Sequence, residues 1–346
     1  MQHIHPPELW FCHLHQSGLS RVAAYYLWRG LAPSTRRNYD TPRSRSTLFC
    51  TLSNFRHQNG CCFPAKAIWL IEWLVSLAGT GKVKTLKLYL AGVKSYQLDR
   101  GLECSAFIDP RLERTIQGIK RDHNEPERRS RTPLTRLYLL QILTCLSRLD
   151  YNHVVLRAAF TLAFAAFLRV GEFTYRATDI SLGTSFASWF LTKYSIRLSN
   201  DRTYMELTLP SSKTDPFRKG IKLTIAASND QGCPVASMKN LLALDTHRHH
   251  LSPLFCIGHQ EQLPFTREYV VDRLQVLAVQ CGLGQGSWNG HSFRRCAATW
   301  AAEAGISDAE IQTLGRWRSD AYKAYIEYSP KERINLSRRF QINQNQ

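Results

Sequence analysis

Several things are missing from this chain of 346 residues, and each absence removes a class of chemistry. It has ten cysteines but no C-x-x-C pair, and the closest two, Cys61 and Cys62, are adjacent. That spacing suits neither a zinc site nor a disulfide framework, so most are expected to be buried thiols in a reducing compartment. His247, His249 and His250 cluster without a cysteine or carboxylate at ligand spacing, which reads as a surface feature; no metal site is expected. A phosphate-binding loop of the G-x-x-x-x-G-K-[ST] order is absent, and the glycines between Gly282 and Gly290 need only be turns. No cofactor is expected. The longest apolar run, Ala158 to Leu168, is too short to span a bilayer and is bracketed by Arg157 and Arg169, while Trp69 to Leu77 is interrupted by Glu72. Met1 to His15 is rich in histidine and proline and lacks a signal-peptide pattern. The expectation is a soluble intracellular protein with no membrane partner.

Acidic residues are also scarce: 27 Asp and Glu stand against 45 Lys and Arg, a formal net charge of +18. So large an excess favours a polyanion, with nucleic acid ahead of a membrane surface. An apolar content of 44% over this length is enough to fill two cores.

Residues 1–122 read as helical, without strand-like alternation. Leu19 to Leu31 is one expected helix, and Pro33-Ser34-Thr35 opens another. Pro64 is expected to open a helix through Leu77, with Ile68, Ile71, Trp73, Leu74 and Leu77 as its core stripe. Further helices are expected over Val83 to Leu98 and from Pro110 through Ile119. Any single basic residue here is most simply a solvated helix face. Together Arg36, Arg37, Lys84, Lys87 and Lys94 make contact with a DNA backbone plausible. The stretch DHNEPERRSRTP, polar and without periodicity, marks 123–133 as a linker, and 134–346 as a second domain.

The second domain opens with expected helices over Leu134 to Leu149 and His153 to Leu168, the latter apolar nearly all round and hence central. At its end stands Arg169, whose charge is costly there unless it meets an anion. Glu172, three residues on, can pair with it and orient it towards a ligand phosphate. Four β-rich segments follow: Phe186 to Leu191, Tyr194 to Leu198, Tyr204 to Leu209 and Gly220 to Ile225, with Lys213 in a hairpin turn. Helices return over Pro234 to Arg248 and Thr266 to Cys281. Near the C-terminus, Gly290-His291-Ser292-Phe293-Arg294, Leu314-Gly315-Arg316-Trp317 and Tyr325 lie on three short helices. The first runs from Ser292 to Ala304, the second is capped by Ser307 with Glu310 as a capping box, and the third by Ser319. His291 and Arg294 can point to one side of a helix start. A short helix from Glu332 to Phe340 and a polar tail complete the reading.

Arg169, Lys213, His291-x-x-Arg294, the Gly-Arg-Trp turn and Tyr325, in that order, resemble the tyrosine recombinase (phage integrase-like) family. AFLRVGEF, SSKTDP, GHSFRR and LGRWRSDAYKAYI look most like the recombinases of eukaryotic Crypton and DIRS/Ngaro mobile elements. The resemblance is strong over 134–330, and over the first 122 residues it rests on a helical basic domain before a linker. It implies a mainly α fold: a helical DNA-binding domain, then a mostly helical catalytic domain with a small antiparallel sheet, together clamping duplex DNA. It implies Tyr325 as nucleophile, Arg169 and Arg294 on the non-bridging oxygens, His291 as general base or proton donor, and Lys213 protonating the leaving 5′-oxygen. Many relatives carry His or Trp nine residues before the nucleophile. Arg316 holds that place here with Trp317 beside it, and the reading favours Trp317 as a packing and hydrogen-bonding support, with Arg316 and Glu172 in supporting roles. Tyr322 and Tyr328 compete with Tyr325.

The resemblance further implies double-stranded DNA as partner, a dimer or tetramer on it, no metal, and a nuclear location. A type IB topoisomerase-like enzyme and a domesticated DNA-binding protein without catalysis are the other readings. The complete residue set argues against the second.

Overall fold

A computed structural model describes residues 18–57, 60–123, 134–212, 215, 219–283 and 288–325, together with 334, 337, 338 and 341. The fold is mainly helical with small antiparallel sheets. The chain divides into two compact units, Met1–Ser130 and Arg131–Gln346. The linker expected at 123–133 lies outside the described residues except for His123, and so, for the most part, does the expected helix from Glu332 to Phe340.

The described regular elements of the first unit are helical: α1 (Arg21–Arg29), α2 (Pro33–Leu52), α3 (Ala67–Ser76), α4 (Val83–Leu98), a 3-10 turn (Ser105–Ile108) and α5 (Pro110–Asp122). Their starts follow local chemistry. The Ser20 hydroxyl accepts from the Ala23 N–H at 3.2 Å, and Asp109 caps α5 with Pro110 in its first position. Helices α2 and α4 pack together, and Gly92 permits the approach: a Cβ there would lie 2.6 Å from Pro42 Cγ. Helix α3 starts at Ala67 rather than Pro64, and its buried face is Trp69, Leu70, Trp73 and Leu74. Ile68, expected in the core stripe, is exposed instead. Two indoles carry more apolar area than one isoleucine, so they decide which face turns inward.

The second unit is built round α7 (Tyr151–Ala165), the expected central helix, buried from Val154 to Ala163 apart from half-buried Arg157 and capped by Asp150, whose Oδ1 accepts from the His153 N–H at 2.8 Å. Before it, α6 is shorter than expected, Arg136–Thr144. Packed against α7 are α10 (Pro234–Leu244) and α12 (Ser292–Glu303), while α11 (Arg267–Gln280) packs on α6. Short helices α8 (Val170–Phe173) and α9 (Ala177–Ile180) follow α7, and α13 (Asp308–Gly315) follows α12. A three-stranded antiparallel sheet runs β1 (Ile196–Leu198), β2 (Tyr204–Leu209), β3 (Ile221–Ala226), with Ile196 opposite Leu207 and Met205 opposite Ile225. Met205, Leu207 and Leu209 face the core, the alternation expected of a half-buried strand. A two-residue ladder, β4 (Cys256–Ile257) with β5 (Leu263–Pro264), was not foreseen.

Three expected elements change. Phe186 to Leu191 is no strand: Gly183–Ser188 forms a 3-10 helix, in which Phe186 stacks on Phe190 and meets Tyr175 edge-on. Residues Lys193–Ser195 also turn as 3-10, leaving β1 only three residues long. The last element, Asp320–Tyr325, is a 3-10 helix, not an α-helix capped by Ser319. Cys145 and Cys281 are placed as a sulfur–sulfur pair between the ends of α6 and α11, where separate thiols were expected.

One polar cluster is sealed inside this unit. Arg248 and Asp245, each 1% exposed, pair at 2.5 Å. Tyr151 donates its hydroxyl to the other carboxylate oxygen of Asp245 at 2.9 Å. The second terminal nitrogen of Arg248 donates to the Pro253 carbonyl, and Lys193 Nζ donates to the Asp245 and Arg248 carbonyls.

Candidate functional site

The candidate site begins where α7 ends. Phe167 closes the helix in the left-handed region, φ 51°, and Arg169 leads into α8. The Glu172 carboxylate accepts from the Arg169 backbone N–H at 2.9 Å and from Arg169 Nη1 at 2.8 Å, so the expected ion pair is present. Its second partner was not expected. Arg316 Nη2 reaches Glu172 Oε2 at 3.1 Å, with side-chain exposures of 8% for Arg316 and 4% for Glu172. One buried carboxylate therefore serves two guanidinium groups.

Arg294, one turn into α12, is 1% exposed. Its Nη1 donates to the Phe167 carbonyl at 2.6 Å, and Nη2 to the Gly315 carbonyl. Arg316 Nη2 also approaches that Phe167 carbonyl, at 3.3 Å. The left-handed Phe167 thus turns one carbonyl towards two arginines, and a non-glycine residue in that conformation leaves no signature in a sequence. His291 sits at the start of α12 with an exposed side chain, while its backbone N–H donates to Asn289 Oδ1 at 2.9 Å. The Gly290 carbonyl accepts from the Val170 N–H at 3.2 Å, and a Cβ at Gly290 would lie 2.3 Å from Val170 Cγ1. Glycine there lets the start of α12 meet the start of α8.

The Gly-Arg-Trp turn has a physical explanation. Helix α13, with its capping box of Ser307 and Glu310 as expected, ends at Gly315, and Arg316 takes the left-handed position, φ 57°. Glycine ordinarily fills that position. Here it stands one residue earlier, because the Trp317 ring lies where a Gly315 side chain would be: a Cβ would meet it at 1.5 Å. Arg316 therefore bears a strained backbone, and its guanidinium is turned inward to Glu172. Trp317 packs its ring 4.0 Å from the Arg294 guanidinium carbon and edge-on to Phe167. Sequence reading preferred Trp317 over Arg316; the structure gives Trp317 to packing on Arg294 and Arg316 to the carboxylate shared with Arg169.

Burial pulls the Arg316 pKa down; Glu172 opposes the fall and the neighbouring Arg169 charge adds to it. The site thus holds Arg169, Arg294 and Arg316 against one carboxylate, an arrangement that favours an incoming anion.

Tyr322 is 2% exposed and packs with Trp317, Phe167 and Ile311. Burial and the Asp308 carboxylate push its phenol pKa up, so it suits a core position better than a nucleophilic one. Tyr325 ends the 3-10 helix that packs on α12 and α13; its side chain, like Lys213 and Tyr328, is outside the described residues. Lys213 belongs to the stretch between β2 and β3, whose described neighbours Ser212 and Asp215 pair across the turn.

The DNA-binding candidates of the first unit separate. Arg36 is half-buried, paired with Asp99 at 2.8 Å, donating to the Trp28 carbonyl and stacked 3.6 Å from the Trp28 ring. Asp99 and the carbonyl and ring of Trp28 hold it between helices. Lys87 pairs with Glu113 in solvent, Arg37 and Lys84 are exposed, and Lys94 is half-buried. Among the described residues no group of His, Cys, Asp and Glu has the geometry to hold a metal, and no described helix is long and apolar enough to cross a membrane.

No family model matches the sequence, and a search of curated proteins finds no relative. Solved structures do match in fold. The chain is similar to XerH site-specific recombinase in its post-cleavage complex with a palindromic difH substrate: TM-score 0.57, 14% identity, over 87% of this chain and 78% of that one. Against the pre-cleavage complex of XerH with difH the TM-score is 0.56 at 12% identity, over 97% and 90%. A fragment of lambda integrase bound to DNA gives 0.50 at 16% identity, over 90% and 92%. The fold is the one these recombinases and integrases share. At such identities the likeness speaks for architecture, and the chemistry must be argued from this chain's own residues.

Proposed function

We propose that this protein is a site-specific DNA recombinase of the tyrosine type, and that it mobilises a Crypton-like element. The observation that carries the reading is the buried cluster in which Arg169, Arg294 and Arg316 gather on Glu172 and the Phe167 carbonyl, beside the short 3-10 helix that ends at Tyr325. A surplus of guanidinium charge in a protein interior suits a phosphodiester. The fold shared with DNA-bound recombinases and the net charge of +18 support the same reading.

In the proposed reaction the Tyr325 phenol oxygen attacks the scissile phosphorus. A tyrosyl–phosphorus bond forms, the bond to the 5′-oxygen breaks, and Lys213 delivers a proton to that leaving oxygen. His291 accepts the phenolic proton, directly or through water. Arg169 and Arg294 bind the non-bridging oxygens, Arg294 exchanging a backbone carbonyl for phosphate oxygen. The phosphodiester energy is retained in the 3′-phosphotyrosyl bond, so a 5′-hydroxyl from another strand can reverse the step without ATP. Two rounds in a dimer or tetramer exchange partners between duplexes, in the nucleus of a eukaryotic host.

The test begins with a nicked random-sequence duplex library, from which covalent protein–DNA adducts are recovered on a denaturing gel. The selected duplex is then given to wild type, Tyr325→Phe, Tyr322→Phe and Tyr328→Phe. An adduct lost only in Tyr325→Phe supports the mechanism. Duplex binding by wild type with no adduct on any sequence contradicts it and favours a non-catalytic DNA-binding protein. Relaxation of supercoiled DNA without partner exchange favours the topoisomerase-like reading.

A further inference from the structure

Cys145 follows the last residue of α6 and Cys281 the last residue of α11, and the structure places their sulfurs together although 136 residues separate them. Each is fixed to its own helix end: the Cys145 N–H donates to the Ile142 carbonyl at 3.2 Å and the Cys281 N–H to the Leu277 carbonyl at 3.0 Å. Cys145 is exposed and Cys281 half-buried, whereas the other cysteines of this unit, Cys233, Cys256 and Cys296, are buried. Burial also pushes the Cys256 and Cys296 thiols up. Cys145 and Cys281 are therefore the pair that a dissolved disulfide can reach. Cys281 has a partner in either redox state. The Gln141 carbonyl, 3.4 Å from its Sγ, accepts from the thiol, and the Cys145 sulfur is its partner once oxidised. In a reducing compartment such pairs are transient or redox-sensing rather than permanent.

The same two helices hold Trp288, which is 2% exposed. Tyr138 of α6 meets its ring edge-on, with centroids 6.5 Å apart, and Gln275 of α11 donates to its carbonyl at 3.3 Å. Asn289 comes next, and its Oδ1 accepts from the His291 N–H at 2.9 Å. A cross-link between the ends of α6 and α11 thus fixes the seat of Trp288, and through it the start of α12.

We propose that Cys145 and Cys281 form a reversible redox clamp, whose disulfide locks α6 to α11 and steadies the segment that presents His291. The link to catalysis rests on the recombinase reading above; the clamp itself does not. The oxidant is a small-molecule disulfide, glutathione disulfide in the test below. The exposed Cys145 thiolate attacks one of its sulfurs, forming a mixed disulfide and releasing one glutathione thiolate. Cys281 then attacks the Cys145 sulfur, forming the protein disulfide and releasing the second. Two protein thiols lose two electrons and two protons, and glutathione disulfide gains them as two thiols. An excess of small-molecule thiol runs the exchange backwards.

The full chain is tested as wild type, Cys145→Ser and Cys281→Ser, each incubated with glutathione disulfide or with dithiothreitol. Serine at 281 keeps a donor for the Gln141 carbonyl and removes the sulfur. In oxidised wild type the tryptic peptides 137–148 and 274–294 are expected to be joined, and dithiothreitol should part them. The melting temperature of that form should rise, because the cross-link spans 136 residues of the unfolded chain. Amide exchange over residues 288–291 should slow several-fold, and adduct formation on the selected nicked duplex should rise with it. Neither serine variant should respond in any of these readouts. Failure to join the two peptides, or a joined pair with unchanged exchange over 288–291, overturns the clamp. So does a response in the serine variants equal to wild type, which would assign the effect to other cysteines. If the peptides join and exchange slows but neither redox state yields an adduct, the recombinase reading fails while the clamp stands.

Discussion

Two buried arginine clusters lie in the same unit, and they are built on opposite principles. Around Arg248, one guanidinium faces one carboxylate, Asp245; Tyr151 donates to that carboxylate, the second terminal nitrogen of Arg248 donates to the Pro253 carbonyl, and Lys193 Nζ donates to the Asp245 and Arg248 backbone carbonyls. Burial alone would pull the Arg248 pKa down, but Cys256, Asp245 and Tyr151 outweigh it and the pKa is raised on balance. Around Glu172 the count is uneven: Arg169 and Arg316 share a single carboxylate, Arg294 adds a third charge nearby, and the Arg316 pKa falls. In the first cluster both terminal nitrogens of Arg248 have protein acceptors, with Nε alone lacking one among the described residues, and the cluster ties down the loop after α10. The second is left electrostatically incomplete, as a site that binds an anion should be. A buried arginine is therefore informative about function only when its partners are counted.

The sharpest way to separate the two is to remove each carboxylate. Asp245→Asn leaves Arg248 charged and uncompensated, and a loss of about 3–5 kcal/mol of stability is expected by denaturant unfolding. Added inorganic phosphate should not restore it, because Arg248 is sealed from solvent at 1% exposure. Glu172→Gln is expected to cost less, about 2 kcal/mol, since Arg169 remains partly exposed and can be solvated. Phosphate or duplex DNA should recover a good part of that loss, while adduct formation falls about 10²-fold through misplacement of Arg169 and Arg316. If phosphate rescues both variants equally, or neither, the distinction between the clusters collapses. A smaller effect is expected from Gly315→Ala. Its Cβ would strike the Trp317 ring, and displacing the ring from Arg294 should cost about 1–3 kcal/mol in thermal unfolding.

Much of this could be read from the residues. Helix α4 spans the expected Val83 to Leu98, the capping box of Ser307 and Glu310 starts α13, and Arg169 pairs with Glu172 as their spacing suggested. These are local features, set by neighbours within a turn or two of helix. What escaped depends on residues distant in sequence. The shared use of Glu172 joins positions 144 apart, and nothing local distinguishes Arg316 from Trp317 as its partner. Phe167 adopts φ 51° because α7 must end there and turn into α8, although its side chain gives no hint of it. Aromatic contacts among Phe186, Phe190 and Tyr175 override the strand propensity of Phe186 to Leu191. The Arg248 cluster was likewise invisible, since Tyr151, Lys193 and Asp245 meet only in three dimensions.

The measurement that bears most directly on the central claim is the chemical identity of the residue joined to DNA. The wild-type adduct with the selected nicked duplex would be digested with nuclease and trypsin, and the nucleotide-bearing peptide fragmented by mass spectrometry. The account predicts that peptide 324–331 carries the nucleotide, attached to Tyr325 through a 3′-phosphate. Attachment to Tyr322 or Tyr328, or to any residue elsewhere in the chain, would contradict it and separate the arginine cluster from the nucleophile it is proposed to serve.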